Sequence, residues 1–318
     1  MSAAAETSAA ETTASEDTAP EKTVNLIHRI VVQRVQRLTT GMVRVVFGGV
    51  GLDGFVSSGI GDEYLRVFFP ASQRDEPALP FPTDDGYWDY PEGVTPAEMR
   101  TYTVRGWDEA ARELTIDFVV HDGGVAAAWA LDAQPGDVVG VNTPRGLYAP
   151  PADIRWQLLV ADATGLPAAA RLAETAPAGV RTRIVLEVAS AEDEQHLTLP
   201  AGVELHWVHG GNGHGPTRLT EIVASAELPD GPGYVWVAGE TRATRGVRKH
   251  LRHTLGLPAS AYKVIGYWTE GAEEWRDRFD ALSDEDRTRL SALWDVEEGT
   301  DTETITDAYE AELEKLGL

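Results

Sequence analysis

The pattern of the sequence changes at Pro150-Pro151, and this change constrains the fold more than any other feature. From Val24 to about Tyr148, short β-type segments are separated by clusters of Gly, Pro and Asp, which is typical of an antiparallel barrel. Beyond Pro151, strand-like and helix-like segments alternate, as they do around a parallel sheet. The pattern predicts a β + α/β protein: an N-terminal antiparallel Greek-key β-barrel followed by a parallel-sheet α/β nucleotide-binding domain with C-terminal helices.

We expect four parts. Residues 1–22 form an acidic tail of low hydrophobicity and are predicted to be disordered. The barrel takes residues 23–149, the α/β domain residues 150–270, and an acidic helical extension residues 271–318.

Local patterns predict the individual elements. Barrel strands are expected at 31–37, 42–47, 64–70 and 114–121. Sheet strands are expected at 156–161, 183–188, 203–208, 234–238 and 263–268, with helices at 167–176 and 241–255. Residues 71–98 form a long Pro-rich loop, which is either functional or a partly ordered excursion.

Composition excludes several classes of protein. The formal net charge of −24 disfavours binding to nucleic acid or to anionic membranes. There is no cysteine, which rules out disulfides, thiolate zinc sites and Cys-ligated iron–sulfur clusters. No apolar run is long enough to insert into a membrane, and the N-terminus lacks the features of a secretory signal. We therefore expect a cytoplasmic protein, of an oligomeric state that the sequence leaves open.

The segment Arg100-Thr101-Tyr102-Thr103 has the composition of a flavin-binding strand. A Tyr on a strand can lay its ring against an isoalloxazine, and Thr101 and Thr103 lie together on the opposite face with hydroxyls that can bond a flavin ring atom. Arg100 offers a planar cationic fork suited to a diphosphate. An ordinary edge strand of a barrel explains the same four residues about equally well.

The residues that follow favour the flavin. A half-buried strand ending at His121 leads through a Gly turn into the small-residue helix start Gly124-Val125-Ala126-Ala127. Backbone N–H groups at such a helix start are accessible and form a natural diphosphate site. A flavin-binding barrel explains these features in order.

At this point the sequence resembles the siderophore-interacting protein family, the flavin-dependent ferric-siderophore reductases of the ferredoxin–NADP reductase superfamily. The resemblance runs from about Ile27 to Trp268. Its four blocks are residues 100–103, residues 117–121 through 129–130, residues 162–168, and residues 236–240 with 266–268.

The resemblance implies FAD as cofactor, NADH or NADPH as electron donor and a ferric siderophore as substrate. The residues it assigns to cofactor binding are Arg100, Thr101, Tyr102, Thr103, Asp117, Val119, His121, Gly124, Val125, Ala126, Ala127, Trp129, Asp162, Thr164 and Glu240. Asp162 and Thr164 can equally be helix-capping residues, and Ala163 and Gly165 depart from the family pattern. Glu240 is either near the nicotinamide or a solvated residue in a tight turn.

The loop after the second sheet strand bears on the donor. It carries Glu192, Asp193 and Glu194, and carboxylates at this position favour a ribose 2′-hydroxyl over a 2′-phosphate. The sequence therefore favours NADH.

Positive charge is concentrated on one helix, in Arg242, Arg245, Arg248, Lys249 and Arg252. This face can receive an anion such as a ferric catecholate, or it can balance the acidic C-terminal extension. Relatives often carry Arg directly after the Gly-Tyr-Trp block, where this chain has Thr269-Glu270. The remaining candidates for siderophore binding are Arg245, Arg248 and Lys263.

The pattern of His206, His209 and His214 is interpreted as a strand end followed by a loop. A metal site is disfavoured because no carboxylate or thiolate completes a ligand set. The leading hypothesis is a reductase that releases Fe(II) from a ferric siderophore, with flavin contacts in place of acid–base residues. A siderophore-binding carrier without turnover, or a general flavin reductase or electron-transfer protein, remains open.

Overall fold

The computed structural model describes residues 26–83, 88–121, 124–211, 216–295 and 302–318. The tail predicted to be disordered, residues 1–22, lies outside these ranges.

The described part of the N-terminal half contains nine strands, seven of which form one antiparallel sheet. These are β1 (Ile27–Thr39), β2 (Met42–Gly48), β3 (Tyr64–Phe69), β4 (Phe81–Pro82), β5 (Trp88–Asp89), β6 (Glu98–Thr103), β7 (Gly106–Asp108), β8 (Glu113–Val119) and β9 (Val138–Asn142). The sheet has the order β6-β3-β9-β1-β2-β8-β7, and β4 and β5 pair separately. The predicted hairpin around Thr40-Gly41 is present as β1 and β2.

The two ends of this sheet meet, so the sheet closes into a barrel. The amide of Arg105, just after β6, donates to the carbonyl of Thr115 in β8 at 2.9 Å. The rings of Tyr102 and Phe118 are 4.5 Å apart across the same junction. The antiparallel barrel predicted from the turn pattern is confirmed.

Aromatic side chains fill the barrel because alternate residues of its strands point inward. Helix α1 (Val125–Asp132) covers one opening and places Trp129 in the core. The Trp129 ring lies parallel to Phe47, with centroids 6.1 Å apart, and also contacts Phe69 and Phe118.

The long Pro-rich loop is partly ordered by local pairing. Phe81 pairs with Asp89 and Pro82 with Trp88. The Trp88 ring packs edge-on against Phe68 of β3, with centroids 5.5 Å apart. Residues 84–87 of the loop lie outside the described part.

The second half contains a parallel sheet. Its strands are β10 (Trp156–Ala161), β11 (Arg181–Val188), β12 (Val203–His209), β13 (Gly233–Glu240) and β14 (Tyr262–Trp268), in the order β12-β11-β10-β13-β14. All neighbouring pairs are parallel. Strand β10 is buried along its whole length, as expected for a strand covered on both faces. The strand order reverses between β10 and β13, and ligands bind at such a switch point in open α/β sheets.

Helices cover both faces of this sheet. They are α2 (Leu166–Glu174), α3 (Leu219–Ala224) and α4 (Thr241–Lys249). Helix α2 packs on one face with Leu159 and Ile184, while α3 and α4 pack on the other. The helix predicted to reach Leu255 is α-helical only to Lys249 and continues as a π-helical turn over His250–Thr254.

The C-terminal extension is helical and acidic, as predicted. It consists, in the described residues, of α5 (Ala272–Asp280), α6 (Asp284–Ala292) and α7 (Thr302–Lys315). Leu290, Leu313 and Leu318 form a small core of their own. None of the described helices is long and apolar enough to cross a bilayer.

Polar contacts join the barrel to the α/β half. Arg171 of α2 donates at 2.8 Å to Glu63, whose side chain is fully buried. Arg105 binds Glu174 of α2 through two hydrogen bonds of 2.8 and 2.7 Å. The indole of Trp236 in β13 donates to Asp62 at 2.9 Å. The division into a barrel domain (23–149), an α/β domain (150–270) and a C-terminal extension (271–318) stays a proposal.

Candidate functional site

The Arg-Thr-Tyr-Thr segment lies on β6, paired with β3. Arg100 and Thr101 are exposed, Tyr102 is half-buried and Thr103 is buried. The Arg100 guanidinium contacts only Glu98 and the Met99 carbonyl among the described residues, both on its own strand. Burial raises the pKa of Tyr102, so its ring is neutral. The strand thus presents a cation, a hydroxyl and an aromatic ring at the barrel surface.

The start of α1 lies at the end of β8, after His121. Gly124 has φ +88°, which favours glycine, and provides no side-chain cap for the helix. A Cβ at Gly124 would lie 2.9 Å from the His121 ring, so the close approach of loop and ring also requires glycine. Val125 is 39% exposed, whereas Ala126 and Ala127 are buried. Asp122 and Gly123, part of the predicted turn, lie outside the described residues.

These features fit a flavin dinucleotide. An uncapped helix start with small side chains leaves backbone N–H groups for a diphosphate. Arg100, on β6, can supply a second group for the same charge. Tyr102 and Thr101 would then meet the ring system.

Three residues that the resemblance assigns to cofactor binding are bound to another side chain or are partly or fully buried. The carboxylate of Asp117 is buried and accepts two hydrogen bonds from Arg44, at 2.7 and 2.8 Å. Trp129 lies in the barrel core, and Val119 is half-buried at the end of β8. Their direct contact with FAD stays a prediction.

Asp162 lies at the carboxyl end of β10 and is fully buried. Its Oδ1 accepts hydrogen bonds from the Thr164 amide (2.9 Å), the Thr164 hydroxyl (2.6 Å) and the Gly165 amide (3.3 Å). Its Oδ2 accepts from the Glu240 amide and the Trp268 indole, both at 2.9 Å. Burial raises the pKa of Asp162, and the hydrogen bonds oppose this shift. Since every partner is a donor, the group is an ionised carboxylate.

Glu240 ends β13 beside Asp162 and is 4% exposed. Its Oε2 accepts from the Ala243 amide at 2.8 Å, so the side chain caps α4. Its Oε1 accepts from the Glu270 amide at 3.3 Å. The carboxylate is therefore not solvated, and its predicted place near a nicotinamide stays a prediction.

Tyr267 lies where β14 meets the barrel. Its hydroxyl is buried and has no hydrogen-bond partner in the described part of the chain, although Thr103 of β6 is near it. Burial, followed by the charge of Asp62, raises the pKa of Tyr267. Thus the Gly-Tyr-Trp block and the Arg-Thr-Tyr-Thr strand, far apart in sequence, come together between the two halves.

The carboxylates after β11 are mostly engaged. Asp193 Oδ1 accepts from the Thr40 hydroxyl (2.7 Å) and the Gly41 amide (2.9 Å) of the barrel hairpin. Glu194 pairs with His209 at 2.9 Å. Glu192 is exposed and makes no ion pair within the described residues. The structure therefore does not support the preference for NADH that was based on these three side chains.

A cavity of about 210 Å³ lies beside this contact, at the junction of the two halves. The barrel contributes Thr39, Thr40, Gly41, Met42 and Val120 to its lining. The carboxyl edge of the sheet contributes Ala163, Leu166, Val188, Ala189, Asp193 and Gln195. This is the edge at which ligands of open α/β sheets bind.

The basic face of α4 is covered by α7. Arg248 pairs with Glu303 at 3.2 Å and with Glu310. Arg245 contacts the carbonyl of Leu318 at 3.4 Å. The structure thus shows the charge-balancing role that the sequence left open. Lys263 lies half-buried on β14, and siderophore binding by Arg245, Arg248 or Lys263 stays a prediction.

The histidines form no metal site in the described residues, where no cluster of three or more ligating side chains occurs. His209 is bound to Glu194, and His214 lies outside the described residues.

The fold defines a protein in which an antiparallel barrel, with residues that fit a flavin dinucleotide, precedes a parallel sheet of the nucleotide-binding type. The chain belongs to the siderophore-interacting protein family. The family model described as "Siderophore-interacting FAD-binding domain" matches residues 31–148, and the one described as "Siderophore-interacting protein" matches residues 154–271. The family and the FAD-binding barrel predicted from the sequence are confirmed.

Individual relatives and a solved structure match most of this chain. The NADPH-dependent ferric-chelate reductase of Escherichia coli is 34% identical, over 75% of this chain and 91% of the relative. The ferric vibriobactin reductase of Vibrio cholerae is 29% identical, over 76% and 89%. The crystal structure of a siderophore utilization protein from T. fusca matches with a TM-score of 0.70 and 36% identity, over 79% of this chain and 95% of that one.

Sequence reasoning missed the polar residues that hold the two halves together. Asp62 and Glu63 are fully buried, although nothing in their local pattern indicates burial. Adjacent acidic residues directly before the apolar strand β3 were the only available signal, and their partners Trp236 and Arg171 lie more than a hundred residues away in the sequence.

Proposed function

We propose that this chain is a flavin-dependent ferric-siderophore reductase. It is an FAD-dependent oxidoreductase that takes electrons from NADH or NADPH and passes them to siderophore-bound Fe(III). The observation that carries the proposal is the meeting of the flavin-type strand of the barrel, at Thr103, with the Gly-Tyr-Trp block at the carboxyl edge of the sheet. A cofactor held there would lie between a nucleotide-binding edge and the barrel surface.

The overall reaction needs little acid–base chemistry. One reduced nicotinamide supplies two electrons and reduces two Fe(III) to two Fe(II), with release of one proton. When bound, FAD accepts the electron pair and passes electrons on singly. Fe(II) then leaves, because it binds hard oxygen donors more weakly than Fe(III).

The chain's own residues bind and orient. The first turn of α1 and Arg100 would hold the diphosphate, Thr101 and Tyr102 would orient the ring system, and Tyr267 with Trp268 would close the other side of the cleft. The ionised Asp162 fixes the Trp268 indole in place.

The relatives support this function without fixing the donor. One is named for NADPH, whereas the acidic loop that favoured NADH is largely engaged in internal contacts. Both NADH and NADPH are therefore tested as electron donors. The cytoplasmic location stays a prediction.

The test is an anaerobic absorption experiment on the purified chain. We expect flavin bands that bleach with NADH or NADPH and return when a ferric siderophore is added, while a ferrous chelator reports Fe(II). Binding of the siderophore without nucleotide oxidation would indicate the carrier. Equal rates with simple ferric chelates and dyes would indicate a general flavin reductase.

Tyr102 provides the site-directed test. Its ring packs 4.5 Å from Phe118 and is proposed to contact the flavin. Tyr102→Ala should therefore lose FAD during gel filtration, with a dissociation constant about tenfold or more higher. Tyr102→Phe keeps the ring and should retain the yellow colour. Equal FAD retention in the two variants would remove Tyr102 from the site.

A further inference from the structure

In α/β folds of this kind, an anionic ligand is normally expected at the start of the helix that follows the first strand, which is α2 here. Helix α2 follows β10, the first strand of the sheet, and β10 adjoins the switch point. In folds of this kind the free N–H groups at such a helix start, with the positive end of the helix dipole, bind the diphosphate of a nucleotide.

In this chain the donors of the turn that leads into α2 are already used within the protein. The amide of Leu166, the first residue of α2, donates to the Asp162 carbonyl at 2.9 Å, and Pro167 has no amide hydrogen. Asp162 Oδ1 takes the amides of Thr164 and Gly165 and the hydroxyl of Thr164. A carboxylate of the protein thus occupies the position of the expected ligand anion.

The carboxylate is fixed there and cannot swing away. Its second oxygen is held by Glu240 and Trp268, and none of its side chain is exposed. A Cβ on Gly239 would lie 2.5 Å from Asp162 Oδ2, so β13 is packed directly against it.

Further negative charge surrounds this position. Glu240 caps α4 from the next strand, and the buried Glu187 at the end of β11 is close enough for its charge to act on Asp162. Glu187 is itself held by the Arg218 amide at 2.8 Å and by the Thr217 hydroxyl. A nucleotide phosphate would therefore meet occupied donors and repulsion at low dielectric constant.

We propose that Asp162 is a specificity-determining residue that acts as a resident anion and excludes the donor's diphosphate from the start of α2. The inference rests on the proposed function in taking a nicotinamide nucleotide as the donor. It implies that the donor's phosphates lie elsewhere along the cleft and contribute little to its affinity.

The experiment measures binding and not turnover. ADP-ribose, which carries the diphosphate without the nicotinamide, is titrated into the FAD-loaded chain by calorimetry. Asp162→Ala frees the Thr164 amide and hydroxyl and removes the charge, so ADP-ribose should bind about tenfold tighter or more. Unchanged or weaker binding would overturn the proposal.

Asp62→Ala is the matched control. Asp62 is also fully buried and also accepts from an indole (Trp236, 2.9 Å) and from two backbone amides, those of Leu147 and Tyr148. It lies at no helix start. ADP-ribose affinity should therefore stay unchanged in this variant, and equal tightening in both variants would contradict the specific role of Asp162.

A measurement on the unaltered chain avoids any loss of folding. The Thr164 and Gly165 amide resonances should not move when ADP-ribose is added, because Asp162 holds both groups. If these resonances shift more than the others, the proposal is wrong. A chain that fails to reduce iron would refute the proposed function but would leave these binding results unaffected.

Discussion

Buried carboxylates are the residues on which the junction of the two halves depends. Asp62, Glu63 and Asp162 are all fully buried, and burial of an unpaired charge is costly. Each is therefore surrounded by donors. Asp62 and Glu63 each take one donor from the other half of the molecule, Trp236 and Arg171 respectively, so folding of the barrel half alone leaves these charges incompletely satisfied.

Loss of Arg171 should test this dependence. Arg171 Nη1 binds both Glu63 and the carbonyl of Val104, at 2.8 and 2.7 Å. Arg171→Ala leaves a buried carboxylate without its counter-ion and should lower the free energy of unfolding by about 3–5 kcal/mol. Urea denaturation measures the change.

The control for this prediction is a surface pair. Arg29 binds Glu76 with both side chains about half exposed, and Arg29→Ala should cost less than about 1 kcal/mol. The double replacement Glu63→Gln with Arg171→Met should recover most of the loss. Equal effects of Arg171→Ala and Arg29→Ala would contradict an essential buried pair.

At the scale of elements, local pattern predicted the five strands of the parallel sheet and most helices, because burial on two faces gives the continuous apolar runs seen in β10. In the barrel it predicted β1, β2, β3, β6 and β8 but not β9, which lies between β3 and β1. Helix α3 was missed, since six residues after a Gly-rich stretch give too short a periodic signal. The sequence also could not decide which group pairs with the basic face of α4, because both an external anion and the acidic extension were possible partners. Docking of α7 on α4 depends on tertiary packing between segments about 60 residues apart.

The same reasoning applies to the site. The flavin-type strand and the start of α1 could be predicted because local residue types define them. The engagement of Asp193 by the barrel could not, since Thr40 lies 153 residues away from it. Asp193 and Glu194, which seemed available to a ribose, are thus occupied by hydrogen bonds and an ion pair that form only in the folded protein.

The ionic contact between α4 and α7 should be sensitive to charge removal. Arg248 lies between Glu303 and Glu310 and is only 12% exposed. Arg248→Ala should increase amide hydrogen exchange in residues 302–318 about tenfold, because the helix opens locally. Raising the salt concentration should have a smaller effect in the same direction.

Lys249→Ala is the control for this experiment, because Lys249 is exposed on the same helix and makes no ion pair with described residues. Its replacement should leave exchange in α7 unchanged. If both variants behave alike, the docking of α7 is apolar and not ionic.

The contact between the loop after β11 and the β1–β2 hairpin should depend on pH. Burial alone would raise the pKa of Asp193, but hydrogen bonds from Thr40, Gly41 and others outweigh it and the pKa is lowered from 3.8. A lowered carboxyl pKa stabilises the folded state above the unfolded value of 3.8, and this stability is lost as pH falls through the folded value.

Asp193→Ala should therefore lower the free energy of unfolding by about 1–2 kcal/mol at pH 7. The difference from the unaltered chain should shrink below pH 3.8. Chemical denaturation at several pH values measures it. Glu192→Ala, in the exposed part of the same loop, should show no such difference, and a gap that persists at low pH would contradict the role of the ionised Asp193.

For the whole molecule, the dominant property is its net charge of −24. Two basic residues of α4 and the π-helical turn after it, Arg248 and Arg252, do not offset this field outward, since they face acidic residues of α7. An anionic substrate therefore approaches a molecule of like charge. Long-range repulsion of this kind lowers the association rate and is screened by salt.

The proposed reductase should thus work faster on an anionic ferric tris-catecholate as ionic strength rises. Between about 10 mM and 150 mM salt the Debye length falls from about 30 Å to about 8 Å, and kcat/KM should rise about threefold or more. A neutral ferric tris-hydroxamate measured in parallel should show little change, which separates screening from general effects of salt on the enzyme. If instead salt slows the anionic substrate alone, a local basic patch guides it to the flavin, and the charge of the whole molecule does not control the encounter.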